Sequence, residues 1–196
     1  MTKPRAATTR KIPEHARRVF RGKFFSVYQW RQKLFDGSTT IFERVSRPDA
    51  TIVVPVTREG RILVLRQKQP TTPWFTCLPG GMIDKKESVR RSAERELLEE
   101  TGYRPGRMTY WFTIAPSFRV TSSVHVFIAR NCVRVARPHL DAGERIVMRA
   151  VSFEEFLRVA ERPDFRHAAI TIETLRARLN ARAMRALRTK LLGEAA

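Results

Sequence analysis

The sequence predicts an α/β protein: an α/β/α sandwich with a mixed β-sheet, preceded by an N-terminal β-hairpin. Three observations carry this. Short apolar runs of strand length lie on both sides of one segment, residues 87–101, whose apolar positions repeat at helical spacing. Near the N-terminus, Asp36-Gly37 separates two alternating, aromatic-rich runs, which is a hairpin signal. A second helical pattern closes the chain after the last strand. At 196 residues and 22.7 kDa this is one domain with appendages, large enough for a proper core.

In chain order, residues 1–19 read as a basic disordered arm. Residues 20–47 hold the hairpin: FFSVYQWRQKLF runs out, Asp36-Gly37 turns, and TTIFERV returns. Arg47-Pro48-Asp49 breaks the chain and opens the core, residues 48–160. There TIVVPVT and RILVLRQ read as strands around a turn at Glu59-Gly60, and Gln69 to Leu78 as a Pro/Thr-rich loop. Asp84, three residues before Glu87, resembles a capping box with an acid at its head, so the helix is expected from Glu87 to Thr101. Gly102 suits its C-cap. The runs RMTYWFTIA, SSVHVFIARNCVRV and Ile146 to Val151 read as further strands. Ser152-x-x-Glu155 opens a helix to about Ala160. Residues 161–196 form a basic amphipathic helix, with Ile172, Leu175, Leu179, Met184, Leu187 and Leu191 near helical spacing.

The chemistry concentrates in residues 81–103, GMIDKKESVRRSAERELLEETGY. On a helix at about 100° per residue, Val89, Ala93 and Leu97 share one stripe, and Glu96, Glu99 and Glu100 crowd an arc beside it. Carboxylates at i, i+3 and i+4 repel, so a bare helix gains nothing from them. A hard divalent cation offsets that repulsion, since it takes oxygen ligands and keeps waters for substrate phosphates. Arg95 lies near Glu99 on the wheel and can orient it, and Gly80-Gly81 lets backbone come close to an ion. A solvated acidic face is the usual reading of a lone Glu-Glu pair. At average residue frequencies, seven fixed residues at one spacing arise by chance on the order of once in a million over this length, which decides for the cation site.

The spacing of Gly81, Glu87, Arg95, Glu96, Leu97, Glu99, Glu100 and Gly102 resembles the Nudix box, G-x5-E-x7-R-E-U-x-E-E-x-G-U. Tyr103 stands where the pattern has its last large aliphatic residue, a packing position. The resemblance implies the Nudix fold and a Mg²⁺ or Mn²⁺ site. It implies water attack on a phosphorus of a nucleoside diphosphate linked to a group X. It makes Glu96 and Glu100 the main metal ligands, Glu99 a ligand or water activator, and Gly80 a carbonyl ligand. Glu87 and Arg95 would tie loop to helix. ERVSRPDATIVVPV ahead of RILVLRQ, LPGGMID at the box and Pro116-Ser117 beyond it are similar to the ADP-ribose pyrophosphatase-like branch. That implies ADP-ribose or a nucleotide sugar as substrate and a hairpin that contributes to a homodimer, with a hairpin that extends the monomer's own sheet as the alternative. Two departures bear on the substrate. Phe118 and Arg119 replace the branch's Ser-Pro-Gly continuation and acid, and Lys68-Gln69 replaces its Tyr-Arg.

In the branch it resembles, a general base outside the helix often comes from a loop late in the chain; no acid occurs between Thr101 and Leu140, and the loop His139-Leu140-Asp141-Ala142-Gly143-Glu144 offers Asp141 and Glu144. Family patterns place a glutamate just before such an apolar strand, which favours Glu144; Asp141 and the helix's own Glu99 stay open. Trp74 and Trp111 are candidates for stacking on a base or for packing, and Phe118 and Arg119 for substrate contact. His125, in a strand pattern, reads as structural.

The chain carries +19, from 38 basic residues of which 30 are Arg. Such a surface attracts polyanions. The Arg-for-Lys skew points to compositional bias, with weak nonspecific nucleic-acid binding as its consequence. An RNA 5′-end pyrophosphohydrolase and a non-catalytic RNA- or ribosome-binding protein are the competing functional readings. No run of 18 apolar residues predicts a membrane span. The N-terminus lacks the apolar core of a secretory signal, though its basic, acid-poor character leaves an organelle transit peptide open. A cytoplasmic location is expected, with Cys77 and Cys132 as buried free thiols.

Overall fold

The computed structural model describes residues 11–115 and 117–193. Residues 1–10 of the expected basic arm lie outside the described residues. The arm's last residues belong to a strand, β1 (Arg17–Arg21), paired antiparallel with β2 (Ser26–Lys33). β2 and β3 (Thr39–Ser46) form the expected hairpin, with Gly37 at φ 88° in its turn. A two-residue strand, β9 (Val120–Thr121), adds parallel to β3 and closes a four-stranded sheet.

The second sheet is mixed and runs β11-β5-β4-β10-β7, with β6 on β5 and β8 on β10. Its strands are β4 (Ala50–Thr57), β5 (Ile62–Lys68), β6 (Phe75–Cys77), β7 (Tyr103–Arg104), β8 (Arg107–Ile114), β10 (Val124–Arg134) and β11 (Arg145–Val151). β4 and β10 pair in parallel at the centre. β4 is buried along almost its whole length, which is why it reads as a continuous apolar run. Its parity sorts the two faces. Val53 packs with Ala93, Leu97 and Phe127 beneath α1 (Val89–Thr101). Ile52, Val54 and Val56 pack with Phe156, Ile170, Leu187 and Leu191 on the other face. Those come from α2 (Phe153–Ala160), α3 (Ala168–Ala177) and α4 (Ala181–Leu192). The result is the expected α/β/α sandwich.

Three further expectations are corrected. The box helix begins two residues later than Glu87: Ser88 is its N-cap, its hydroxyl accepting from the Arg91 amide. Asp84 instead closes a turn, its carbonyl accepting from the Glu87 amide. Asp84 and Glu87 keep only the return bond of a capping box, the Asp84 amide donating to Glu87 Oε2 at 3.4 Å, while Ser88 stands immediately before Val89 at the helix start. The closing helix is two helices. Asn180, extended at φ −163°, caps α4 by accepting from the Ala183 amide, and that local bond interrupts the apolar stripe. The loop read over Gln69–Leu78 contains β6, whose Phe75 and Cys77 pack with Leu65. The Ser152 cap is as expected, accepting from Glu155. Both cysteines are free and buried. Among the described residues no helix is long and apolar enough to cross a membrane.

Candidate active site

The site starts from how residues 79–83 lie along β4. Thr51 donates to the Gly81 carbonyl, Val53 to the Pro79 carbonyl and Ile83 to the Asp49 carbonyl, so the segment is fixed edge-on to the central strand. A side chain at Gly80 would collide with the Thr51 carbonyl oxygen. A methyl group at Gly81 would stand 2.5 Å from Glu96 Oε1. The two glycines therefore have separate reasons: one lets backbone meet backbone, the other leaves room for a carboxylate. At the far end, Gly102 takes φ 77°, its amide caps Leu98, and its carbonyl accepts from Val135 and Ala136. Both ends of α1 are thus tied to the central sheet, and its glutamates face a fixed cavity.

Arg95 organises the acids. Its Nε and Nη2 donate to both oxygens of Glu87 at 3.1 Å. Its Nη1 donates to Glu96 Oε1 and Glu99 Oε2, each at 2.8 Å, and Nη2 reaches the Met82 carbonyl at 3.2 Å. The expected tie between loop and helix is this fork. Its hydrogen bonds hold the Glu87 carboxyl below the usual range. Glu100 lies deeper, 6% exposed, and accepts from the Gly80 amide at 2.9 Å. Burial pushes its pKa up to about 8, the Gly80 amide opposes this, and the charges of Glu96, Glu144 and Glu99 add to the rise. Burial likewise raises Glu96.

These groups line a cavity of about 550 Å³ together with Gly80, Gly81, Met82, Asp84, Gln67, Gln69, His139, Asp141 and Glu144. The loop choice of Glu144 as candidate base is therefore placed beside the box, where its charge reaches Glu96 and Glu100. Its own carboxyl is raised by burial and by Asp141. Its Oε1 accepts from Gln67 Nε2 at 3.0 Å. His139 donates its amide to the Glu99 carbonyl at 2.7 Å, which holds the loop against the helix end.

Six carboxylates share this cavity with one guanidinium, on a protein whose net charge is +19. An anionic diphosphate cannot approach such a surface until cations offset it. Three clustered carboxylates and a glycine carbonyl are the hard oxygen donors that Mg²⁺ or Mn²⁺ takes. Among the described residues no three of them already surround one point, because Glu96 and Glu99 close on Arg95 and Glu100 on the Gly80 amide. The donor set fits the ion in chemistry and charge, with Glu96 held through Oε1 and Glu99 through Oε2 by Arg95 Nη1.

The expected substrate contacts do not line this cavity. Trp74 precedes β6, where Phe75 faces the core, so strand alternation turns Trp74 outward beneath Arg66, 5.4 Å from its ring. Phe118 is 67% exposed with Arg119 stacked over it at 5.1 Å, and β9 ties that loop to β3. Trp111 packs against the core on the α2–α4 face. His125 does not line the cavity, and its Nδ1 is hydrogen-bonded to Thr113 Oγ1 at 2.8 Å. Gln67, Gln69, Met82 and His139 line the cavity without having been read as site residues. Gln67 shares parity with buried Leu63 and Leu65, a signal that it points inward. His139 acts through its backbone and left no side-chain signal.

The model of the NUDIX domain matches residues 46–172, which reaches past the expected boundary at Ala160 into α3. The chain is 33% identical over 147 residues to an ADP-ribose pyrophosphatase of Bacillus subtilis, covering 73% of this chain and 79% of that one. It is 28% identical over 144 residues to a methanol dehydrogenase activator of Bacillus methanolicus, covering 71% and 77%. A crystal structure of an ADP compounds hydrolase superposes with TM-score 0.69 at 22% identity, over 84% of this chain and 90% of that one, a likeness of fold. Box spacing, sandwich, acidic cavity and family match agree: the chain belongs to the Nudix family, in its ADP-ribose pyrophosphatase-like branch.

Proposed function

We propose that this Nudix hydrolase cleaves the diphosphate of a nucleoside diphosphate linked to X, with ADP-ribose or a nucleotide sugar as the substrate class. The observation that carries the reading is the cavity of six carboxylates around Arg95, an arrangement that suits a cation-carrying anionic substrate. The similarity to an ADP-ribose pyrophosphatase supports the substrate class. Glu96, Glu99, Glu100 and the Gly80 carbonyl would hold Mg²⁺ or Mn²⁺, which when bound offsets phosphate charge and lowers the pKa of water.

This chain's own residues do the rest. Glu144 accepts the proton of the water that attacks phosphorus; the new P–O bond forms as the bridging P–O bond breaks, and the departing phosphate keeps the bridging oxygen. A carboxyl raised by burial is a better base near neutral pH than an exposed one. Arg95 holds Glu87, Glu96 and Glu99 in register and pins the Met82 carbonyl. The N-terminal sheet exposes Phe20, Phe24, Phe25, Phe35, Ile41 and Phe42, which supports the reading of a homodimer formed through it. The test of the base is Glu144→Gln. Turnover should fall roughly 10²–10⁴-fold with the thermal unfolding temperature little changed. A loss below tenfold, with Asp141→Asn also mild, moves the base to Glu99.

A further inference from the structure

A buried amide stands behind Glu144. Gln67 is 6% exposed on β5, and Cys77, 4% exposed, lies diagonally across the ladder on β6. Cys77 Sγ stands 3.3 Å from Gln67 Oε1, and Gln67 Nε2 stands 3.0 Å from Glu144 Oε1. Around them are Leu65, Phe75, Ile146 and Met148, an apolar cluster in which a leucine would be at home. An amide placed there is costly unless both its ends are used.

The two neighbours ask for opposite ends of the amide. A thiol offers one proton, so it takes the amide oxygen; a carboxylate offers none, so it takes the amide N–H. Flipping the amide would set its oxygen against the carboxylate and its N–H₂ against sulfur, losing both bonds. Burial and the nearby acids raise the Cys77 thiol, which keeps its proton. A neutral donor also holds the carboxylate without cancelling its charge, as Lys or Arg at this place would. Gln69, exposed just beyond β5, also acts to lower the Glu144 carboxyl.

We propose that Gln67 is a positioning residue for the Glu144 carboxylate, and that the Cys77 thiol sets the direction in which its amide points. The proposal rests on the reading of Glu144 as the base. Turning strands into a rigid bracket for a loop carboxylate explains why a polar pair interrupts this apolar cluster. The effect belongs in the chemical step, not in substrate affinity.

The test is steady-state kinetics with ADP-ribose and Mg²⁺ on a small set of variants. Gln67→Leu should lower kcat about 10–100-fold, as loss of an outer hydrogen-bond partner does, with KM within about threefold and unfolding temperature unchanged or raised. Gln67→Met, of the same length, guards against failed packing and should behave alike. Cys77→Ala should lower kcat several-fold, and Cys77→Ser, which keeps a donor, should restore it. In a Glu144→Gln background Gln67→Leu should cost nothing further, because both act through one carboxylate. A folded Gln67→Leu or Gln67→Met with kcat within twofold of the parent, while Glu144→Gln is deeply impaired, overturns the positioning role and leaves the base intact. Equal losses from Gln67→Leu with and without Glu144 also overturn it. Equal losses from Cys77→Ser and Cys77→Ala overturn the thiol's part. A mild Glu144→Gln overturns the base itself.

Discussion

Each of the acids and glycines in the box has its own physical reason, and these reasons separate by mutation. In the metal-free protein Glu100 keeps its proton to about pH 8 rather than the ordinary 4.5. Between those values the folded state binds a proton that the unfolded chain has released, so folding stability falls as pH rises through the window. Glu100→Gln keeps the acceptor for the Gly80 amide and removes the charge. Without metal at pH 8 and above it should be more stable than the parent, on the order of 1–3 kcal/mol, with the gap closing toward pH 4.5. With Mg²⁺ its turnover should fall by orders of magnitude; unchanged turnover would end its assignment to the metal site. The adjacent glycines should respond differently. Gly81→Ala pushes the Glu96 carboxylate aside, so turnover falls while thermal stability stays near the parent's. Gly80→Ala meets backbone at Thr51, so it should lower thermal stability as well. The eight box residues were legible because their spacing is fixed, with Arg95, Glu96, Leu97, Glu99 and Glu100 on one helix, Gly81 and Glu87 ahead of it and Gly102 at its C-cap. Gln67 was not singled out, since one glutamine in a strand looks like any polar position until its parity with Leu63 and Leu65 is followed.

Elements were legible where periodicity is strong and local. The strands from 50 to 68 and the cap at Ser152 follow from short-range pattern alone. The helix starting at Val89 and the break at Asn180 depend on side-chain caps competing with periodicity, and there the sequence reading shifted or merged elements. β6 escaped because three residues carry too little pattern, and its strand character comes from pairing with β5. Its position is secured from another element: His167, ahead of α3, accepts at Nε2 from the Leu78 amide at 2.9 Å, which only a neutral ring can do. Burial lowers its pKa from 6.5 to about 4. The unfolded chain therefore binds a proton that the folded protein refuses between those values, and stability falls as pH drops through them. The contribution above pH 6.5 is roughly 2–3 kcal/mol. His167→Gln, which keeps an acceptor, should flatten the unfolding temperature between pH 6.5 and 4 relative to the parent. A parallel pH dependence in the variant would assign the effect to other groups.

Over the whole molecule, charge and apolar surface are distributed in opposite ways. The net charge is +19 while six carboxylates line the cavity, so the cavity opposes an anionic substrate until cations offset its charge. Net charge was legible in composition; where the acids gather needed the fold, because Glu144 lies 44 residues after Glu100. The exposed aromatics of the N-terminal sheet suit a second copy of this chain. Sedimentation at micromolar concentration should show a dimer, and Ile41→Asp, at a site 54% exposed, should shift it to monomer with turnover per chain as the second readout. A parent that sediments as a monomer would remove the hairpin from the assembly. The most direct measurement of the central claim is the conversion of ADP-ribose with Mg²⁺ or Mn²⁺, products separated by chromatography alongside a panel of nucleotide sugars and 5′-triphosphorylated RNA. Catalytic release of AMP and a sugar phosphate is expected, abolished by chelator and by Glu100→Gln. No cleavage of any diphosphate in the panel with either ion, together with RNA binding that survives moderate salt, would contradict it.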